Sequence, residues 1–228
     1  MSVQHRLLAI AVSLLLAIQF SAPVAQGDMI WGQAPFVNGD ILDAGGDVLS
    51  TITITDPGII QEIRVTIQGI EHTNVGDLVV ELRFLGPGGP SGSGGNPAYL
   101  FFRPNVDSIN TLGSRGNLDG DYTFTTDPTD ANFWTESAIP DDQVVPPELD
   151  YFASDTNGDF HDLAGPDFFG GFNTLGDWQL VIRDENAFGN NEGSVVAWTI
   201  EFTATAIPEP TAGFVFVSLL LLSFRRRR

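Results

Sequence analysis

The 228-residue chain has no cysteine and no lysine. Without cysteine there are no disulfides, no thiolate metal site and no thiol nucleophile. A domain without disulfides must be held by its core alone, which the length and the 43% apolar content permit. Bases are scarce: Arg6 and Arg225 to Arg228 sit at the ends, and five arginines lie between them against 28 acids. That interior net charge of −23 repels phosphate backbones and anionic membrane surfaces, and so argues against a nucleic-acid partner. It attracts cations, of which Ca²⁺ is the extracellular one that prefers carboxylate oxygen; solubility in a salty medium accounts for the same charge. No stretch between the ends keeps a 3.6-residue apolar period, and no Gly-x-Ser-x-Gly elbow occurs.

What is present is a texture of short segments separated by turns, with 25 Gly and 14 Pro. Five runs alternate with period two: 50–55, 63–68, 77–85, 176–184 and 194–203. The inward set is expected to include Ile63, Val65 and Ile67; Leu78, Val80, Leu82 and Phe84; Trp178, Leu180 and Ile182; and Val196, Trp198, Ile200 and Phe202. Glu81 and Arg83 fall on the outward side. One wet face per strand predicts an all-β sandwich of antiparallel sheets over residues 28–206. Residues 86–97 read as a Gly/Ser/Pro-rich hairpin tip. Residues 127–171 are long, acidic and aromatic, and are expected to pack over an open end of the sandwich.

The two ends carry export features. Arg6, an apolar stretch over 7–20 and small residues thereafter make residues 1–27 a secretory signal peptide. Ala25-Gln26-Gly27 is the expected cleavage site, with Ala22 as a competitor and a retained membrane anchor as the alternative. At the other end, Pro208-Glu209-Pro210 precedes a nearly continuous apolar segment, 211–224, and then Arg225, Arg226, Arg227 and Arg228. Four arginines directly after an apolar segment stay cytoplasmic. Yet 14 residues of helix reach only ~21 Å, short of a ~30 Å hydrocarbon core. These three parts, over residues 207–228, resemble the PEP-CTERM sorting signal. The resemblance implies a bacterium with an outer membrane, transient membrane insertion of the tail, and exosortase as a partner that removes it. The destination implied is the cell envelope, the cell surface or an extracellular polysaccharide matrix.

The middle of the chain carries a second resemblance. His72-Thr73, Gly76-Asp77-Leu78, the strand after them and Leu85-Gly86-Pro87-Gly88 are similar to a turn and strand of the P domain (Homo B domain) of subtilisin-like proprotein convertases. Phe172-Asn173, Gly176, Trp178, Leu180, Asp184, Gly193, Trp198 and Ile200 resemble that family's closing pattern, with Thr174 where the family has Gly. The resemblance covers about residues 48–204 and implies an antiparallel jelly-roll β-sandwich of about eight strands. It also implies association with a subtilisin-like serine endopeptidase, although no protease domain fits beside the sandwich in this chain.

Candidate chemistry is sparse. A triad of His72, Asp77 and a loop serine is weighed against His72 as a turn residue bonded to backbone, and the second reading is preferred. The carboxylate pairs Asp119/Asp121, Asp141/Asp142 and Asp184/Glu185 are of the kind a glycosidase needs, but so many acids supply pairs by chance. Asp155, Asn157 and Asp159 place oxygens at i, i+2 and i+4, the spacing with which a loop wraps Ca²⁺; Asp150 and Asp162 extend this candidate site, and Asp77 with Asp184 is a second. Phe160 and Pro166 occupy the places where an EF-hand needs Gly and Glu, and an Asx turn explains the same residues. The expected function is therefore a non-catalytic surface or matrix module. Its ligand is expected to be polysaccharide or an envelope protein, with the aromatics of 133–169 either as the contact surface or, residue by residue, as core. The alternative is an accessory to a subtilisin-like protease in trans.

Overall fold

A computed structural model describes residues 28–41, 46–86, 98–105, 113–140, 143–185 and 193–207. The signal region and the sorting-motif residues Pro208, Glu209, Pro210 and Arg225 to Arg228 lie outside them, as do most of the glycine-rich tip and Asp141/Asp142. In chain order the strands are β1 (Asp28–Pro35), β2 (Asp40–Ile41), β3 (Val48–Ile54), β4 (Gly58–His72), β5 (Leu78–Phe84), β6 (Ala98–Phe102), β7 (Leu118–Thr125), β8 (Ala131–Asn132), β9 (Asp150–Phe152), β10 (Gly176–Asp184), β11 (Gly193–Ser194) and β12 (Ala197–Ala206). The one-turn α1 (Phe133–Ser137) follows β8, where Asn132 caps it by accepting from the amides of Trp134 and Thr135. No helix among the described residues is long and apolar enough to cross a membrane.

The strands form two sheets. The larger runs β1-β12-β4-β7-β9-β8, with β11 joining β4 to β2; the smaller runs β3-β10-β5-β6. Alternation reads through directly, as in β3, whose residues are buried and exposed in strict turn. The inner faces meet in a core of Ile52, Ile54, Ile63, Val65, Ile67, Leu78, Val80, Leu82, Phe84, Leu180, Ile182, Ile200 and Phe202 around the fully buried Trp178 and Trp198. The Trp178 ring lies 4.8 Å from Phe84, 5.0 Å from Phe169 and 4.8 Å from Phe202. Each such side chain contributes roughly 2–3 kcal/mol of burial, which is how a cysteine-free chain holds together.

Four sequence expectations are corrected. Strands β7 and β9, and β8 and β9, pair in parallel, so the larger sheet is mixed at that edge. Val196 is 63% exposed, because the chain breaks strand geometry between β11 and β12 and turns Val195 inward instead. Glu81 points outward yet is 2% exposed, covered by charged neighbours. The aromatics of 127–171 are mainly core rather than contact surface. Phe133, Tyr151 and Phe169 are at most 1% exposed. Phe133 packs at 4.5 Å from Phe101, 5.3 Å from Phe124 and 5.0 Å from Tyr151.

Candidate functional site

The turn after β4 is built around His72. Its Nδ1 accepts from the Asn74 amide at 3.2 Å, which leaves the proton on Nε2, 3.1 Å from Asp184 Oδ2. Both side chains are fully buried. The ring therefore bonds backbone, as its place in the turn suggests, and it also ties β4 to the end of β10. Both ring nitrogens are engaged and the side chain is fully buried. The two glycines nearby are steric necessities: a Cβ on Gly76 would lie 2.4 Å from the Ser114 nitrogen, and one on Gly193 would lie 2.3 Å from the Glu71 oxygen. Thr174, where the P-domain pattern has Gly, accepts from Trp178 Nε1 through its carbonyl at 2.8 Å and donates its hydroxyl to the Asp56 carbonyl at 2.6 Å.

The proposed calcium ligands do not come together as one site. Asp155 Oδ1 accepts the amides of Asn157 at 2.7 Å and Asp159 at 3.1 Å, an Asx turn satisfied by its own backbone. Asp162 lies at the next turn, which the Gly165 amide closes onto its carbonyl at 2.9 Å. Asp150 is elsewhere: on β9 it forms an ion pair with Arg64 of β4. Among the described residues no three His, Asp or Glu side chains are grouped to hold a metal ion, at this turn or at Asp77 and Asp184. The carboxylate pairs also separate: Asp121 accepts the Gly69 amide at 2.7 Å, while Asp184 is buried and Glu185 pairs with Arg183 at 2.8 Å.

The open feature is a groove of about 680 Å³ on the outer face of the larger sheet. Cross-strand register builds it: Trp31 on β1 faces Glu201 on β12, Glu201 faces Arg64 on β4, and Arg64 faces Thr125 on β7. Glu62 and Thr203 form the adjoining row, joined at 2.9 Å, and the turn after β7 adds Asp127, Pro128 and Asp130 as a wall. Asp127 is held below the ordinary carboxylate range by hydrogen bonds from the Thr129 amide and then the Thr129 hydroxyl, so it stays charged. Met29 lines the groove and is 71% exposed; Trp31, beside it on the same face of β1, is 65% exposed. Sequence reading missed this site because β1 was not among the five alternating runs. The available signal was Met29-Ile30-Trp31, alternating out, in, out.

The outer face of the smaller sheet is different. Glu81 receives Arg83 at 2.7 Å and Arg183 at 3.6 Å, Asp47 lies 3.6 Å from Arg183, and Tyr99 is the cross-strand neighbour of Glu81. The Arg83 guanidinium is raised above its ordinary value, chiefly by its hydrogen bond to Glu81. Tyr99 is raised by burial and then by the Glu81 charge. These groups are paired with one another, although Glu81 Oε1 is buried without a hydrogen-bond partner among the described residues.

No protein-family model matches the chain. No curated protein matches it either. Among solved structures, a complex of an Aeromonas sobria serine protease with its chaperone is similar at 15% identity and a TM-score of 0.46, covering 85% of this chain and 29% of that one. The Aeromonas sobria serine protease matches at 14% identity and a TM-score of 0.41, covering 82% of this chain and 29% of that one. This chain thus spans less than a third of the length of either chain. The P-domain resemblance rests on the motifs themselves.

Proposed function

We propose that the protein is an exported, non-catalytic β-sandwich module of jelly-roll type, displayed at the cell surface or in the extracellular matrix, and that it works by binding. The exposed Trp31 and Met29 beside the groove carry this reading, because large apolar side chains left in water on a polar face mark contact surfaces. The sealed His72 supports the absence of hydrolysis, since this histidine, which has a carboxylate partner, is fully buried. Export rests on residues 1–27, and delivery on exosortase acting near Pro208-Glu209-Pro210.

The test is retention of the mature protein on cell-envelope and matrix fractions, with Ca²⁺ and with chelator, alongside a casein assay. Specific retention without hydrolysis is expected. Hydrolysis without added protease, or no retention on any fraction, would sink the reading. The Asx turn is closed by its own amides, so chelator is expected to leave Tm unchanged. A fall in Tm that Asp155→Ala with Asp159→Ala abolishes would return Ca²⁺ to that turn.

The convergence of His72 and Asp184, which join the two parts of the P-domain pattern, favours a second reading: an accessory domain acting in trans on a subtilisin-like serine endopeptidase. A gain in activity or heat resistance of such a protease on adding this module would favour it over the first.

A further inference from the structure

The groove face has a defined electrostatic surplus. Arg64 is the one base lining it among the described residues, and its charge is used in the pair with Asp150. Glu62, Glu201, Asp127 and Asp130 remain, four carboxylates with no ion pair to a base among the described residues. Their known bonds are to neutral donors: Glu62 accepts from the Thr203 hydroxyl, Asp127 from Thr129, and Asp130 from the Thr125 hydroxyl. The neighbouring Trp31 ring stands in solvent with Glu201 opposite it.

We infer that this face binds an extended segment of another protein that carries arginine or lysine side chains. This rests on the binding-module reading above and names the chemistry of its partner. Three features select that occupant. A cation over an indole face is attracted by the ring quadrupole, and a carboxylate beside the ring adds to the attraction. Four uncompensated carboxylates repel a polyanion and give no charge complementarity to a neutral glycan, whereas a basic segment uses all of them. A groove of about 680 Å³ accepts a few side chains and no folded domain. The interior charge of −23 also steers a basic partner toward the module over a distance.

Calorimetric titration of the full-length protein tests this with three probes: a peptide of alternating Arg and Gly, an equal-length Glu/Gly peptide, and a neutral gluco-oligosaccharide. Only the basic peptide is expected to bind, with affinity falling on the order of tenfold between about 50 and about 300 mM salt. Trp31→Ala should weaken it by roughly tenfold, and Glu62→Gln with Glu201→Gln by about as much. Asp177→Asn, on the outer face of the smaller sheet, should leave it unchanged. Equal losses in Asp177→Asn, or none in Trp31→Ala, would mean a general attraction to an acidic chain and would overturn the proposal. Oligosaccharide binding that Trp31→Ala abolishes would overturn the basic occupant while leaving the binding-module reading intact. Failure of that broader reading shows separately, as absence of retention on any envelope fraction. Melting curves confirm that the variants fold, as expected for exposed or half-buried side chains on an outer face.

Discussion

The outer faces of the two sheets come from the same period-two alternation, yet they end in opposite electrostatic states. On the smaller sheet, Glu81 is 2% exposed and lies beneath Arg83 and Arg183, with Asp47 and Glu185 completing a network in which every carboxylate has an arginine partner. Val79 and Val181, on the same outward side, are fully buried too. The long arginine stems lie along the sheet, so the face closes over itself. On the larger sheet the one arginine pair is half exposed, the remaining acids outnumber their partners, and Trp31 and Met29 stay in water. Outward polar residues alone therefore do not identify a functional face. What separates the two is whether the charges consume one another.

The comparison breaks most readily at Glu81. Glu81→Ala leaves two guanidiniums without their shared carboxylate in a desolvated setting. Because each arginine side chain is still about a quarter exposed, a loss of ~2–3 kcal/mol is expected in urea denaturation rather than the full cost of an orphaned buried charge. A loss under ~0.5 kcal/mol would mean that the smaller sheet's network is no more structural than the groove's charges.

Acid offers a finer cut, provided one group outside both faces is accounted for. His161 is 8% exposed, and burial lowers its pKa below the ordinary 6.5. The unfolded chain thus binds the proton first. The stabilisation is present above about pH 6.5 and is lost as pH falls toward the depressed folded value. His161→Phe should flatten the stability profile below pH 6.5 and leave it unchanged above.

Legibility followed the same division. The four strand patterns with clean inward sets were readable because a period of two, a buried face and a wet face are one physical fact; β10 has the same bounds in sequence and structure, 176–184. The turn at His72 was legible as a string, but the buried His72–Asp184 contact across 112 positions was not. The groove was hidden because its members come from five separate segments, each carrying only one to five of them. Charge count reported the surplus of acid and not its address. The Asp155–Asp159 spacing has a local use that the string does not separate from a metal signal: Oδ1 of the first Asp accepts the amides that make the turn.

The smallest effects fall on the groove, and they are the sharpest statement of the difference. Arg64 and Asp150 are 43% and 40% exposed, so their pair is screened and Arg64→Ala should cost less than ~1 kcal/mol. Glu62→Gln and Glu201→Gln remove charge from a region where carboxylates outnumber cations, and each should be neutral or stabilising within ~0.5 kcal/mol. A face whose charges can be deleted without loss of stability is not being kept for the fold. Were Glu201→Gln instead to cost as much as Glu81→Ala, the acids of the groove would be structural, and the contrast on which the binding surface is argued would disappear.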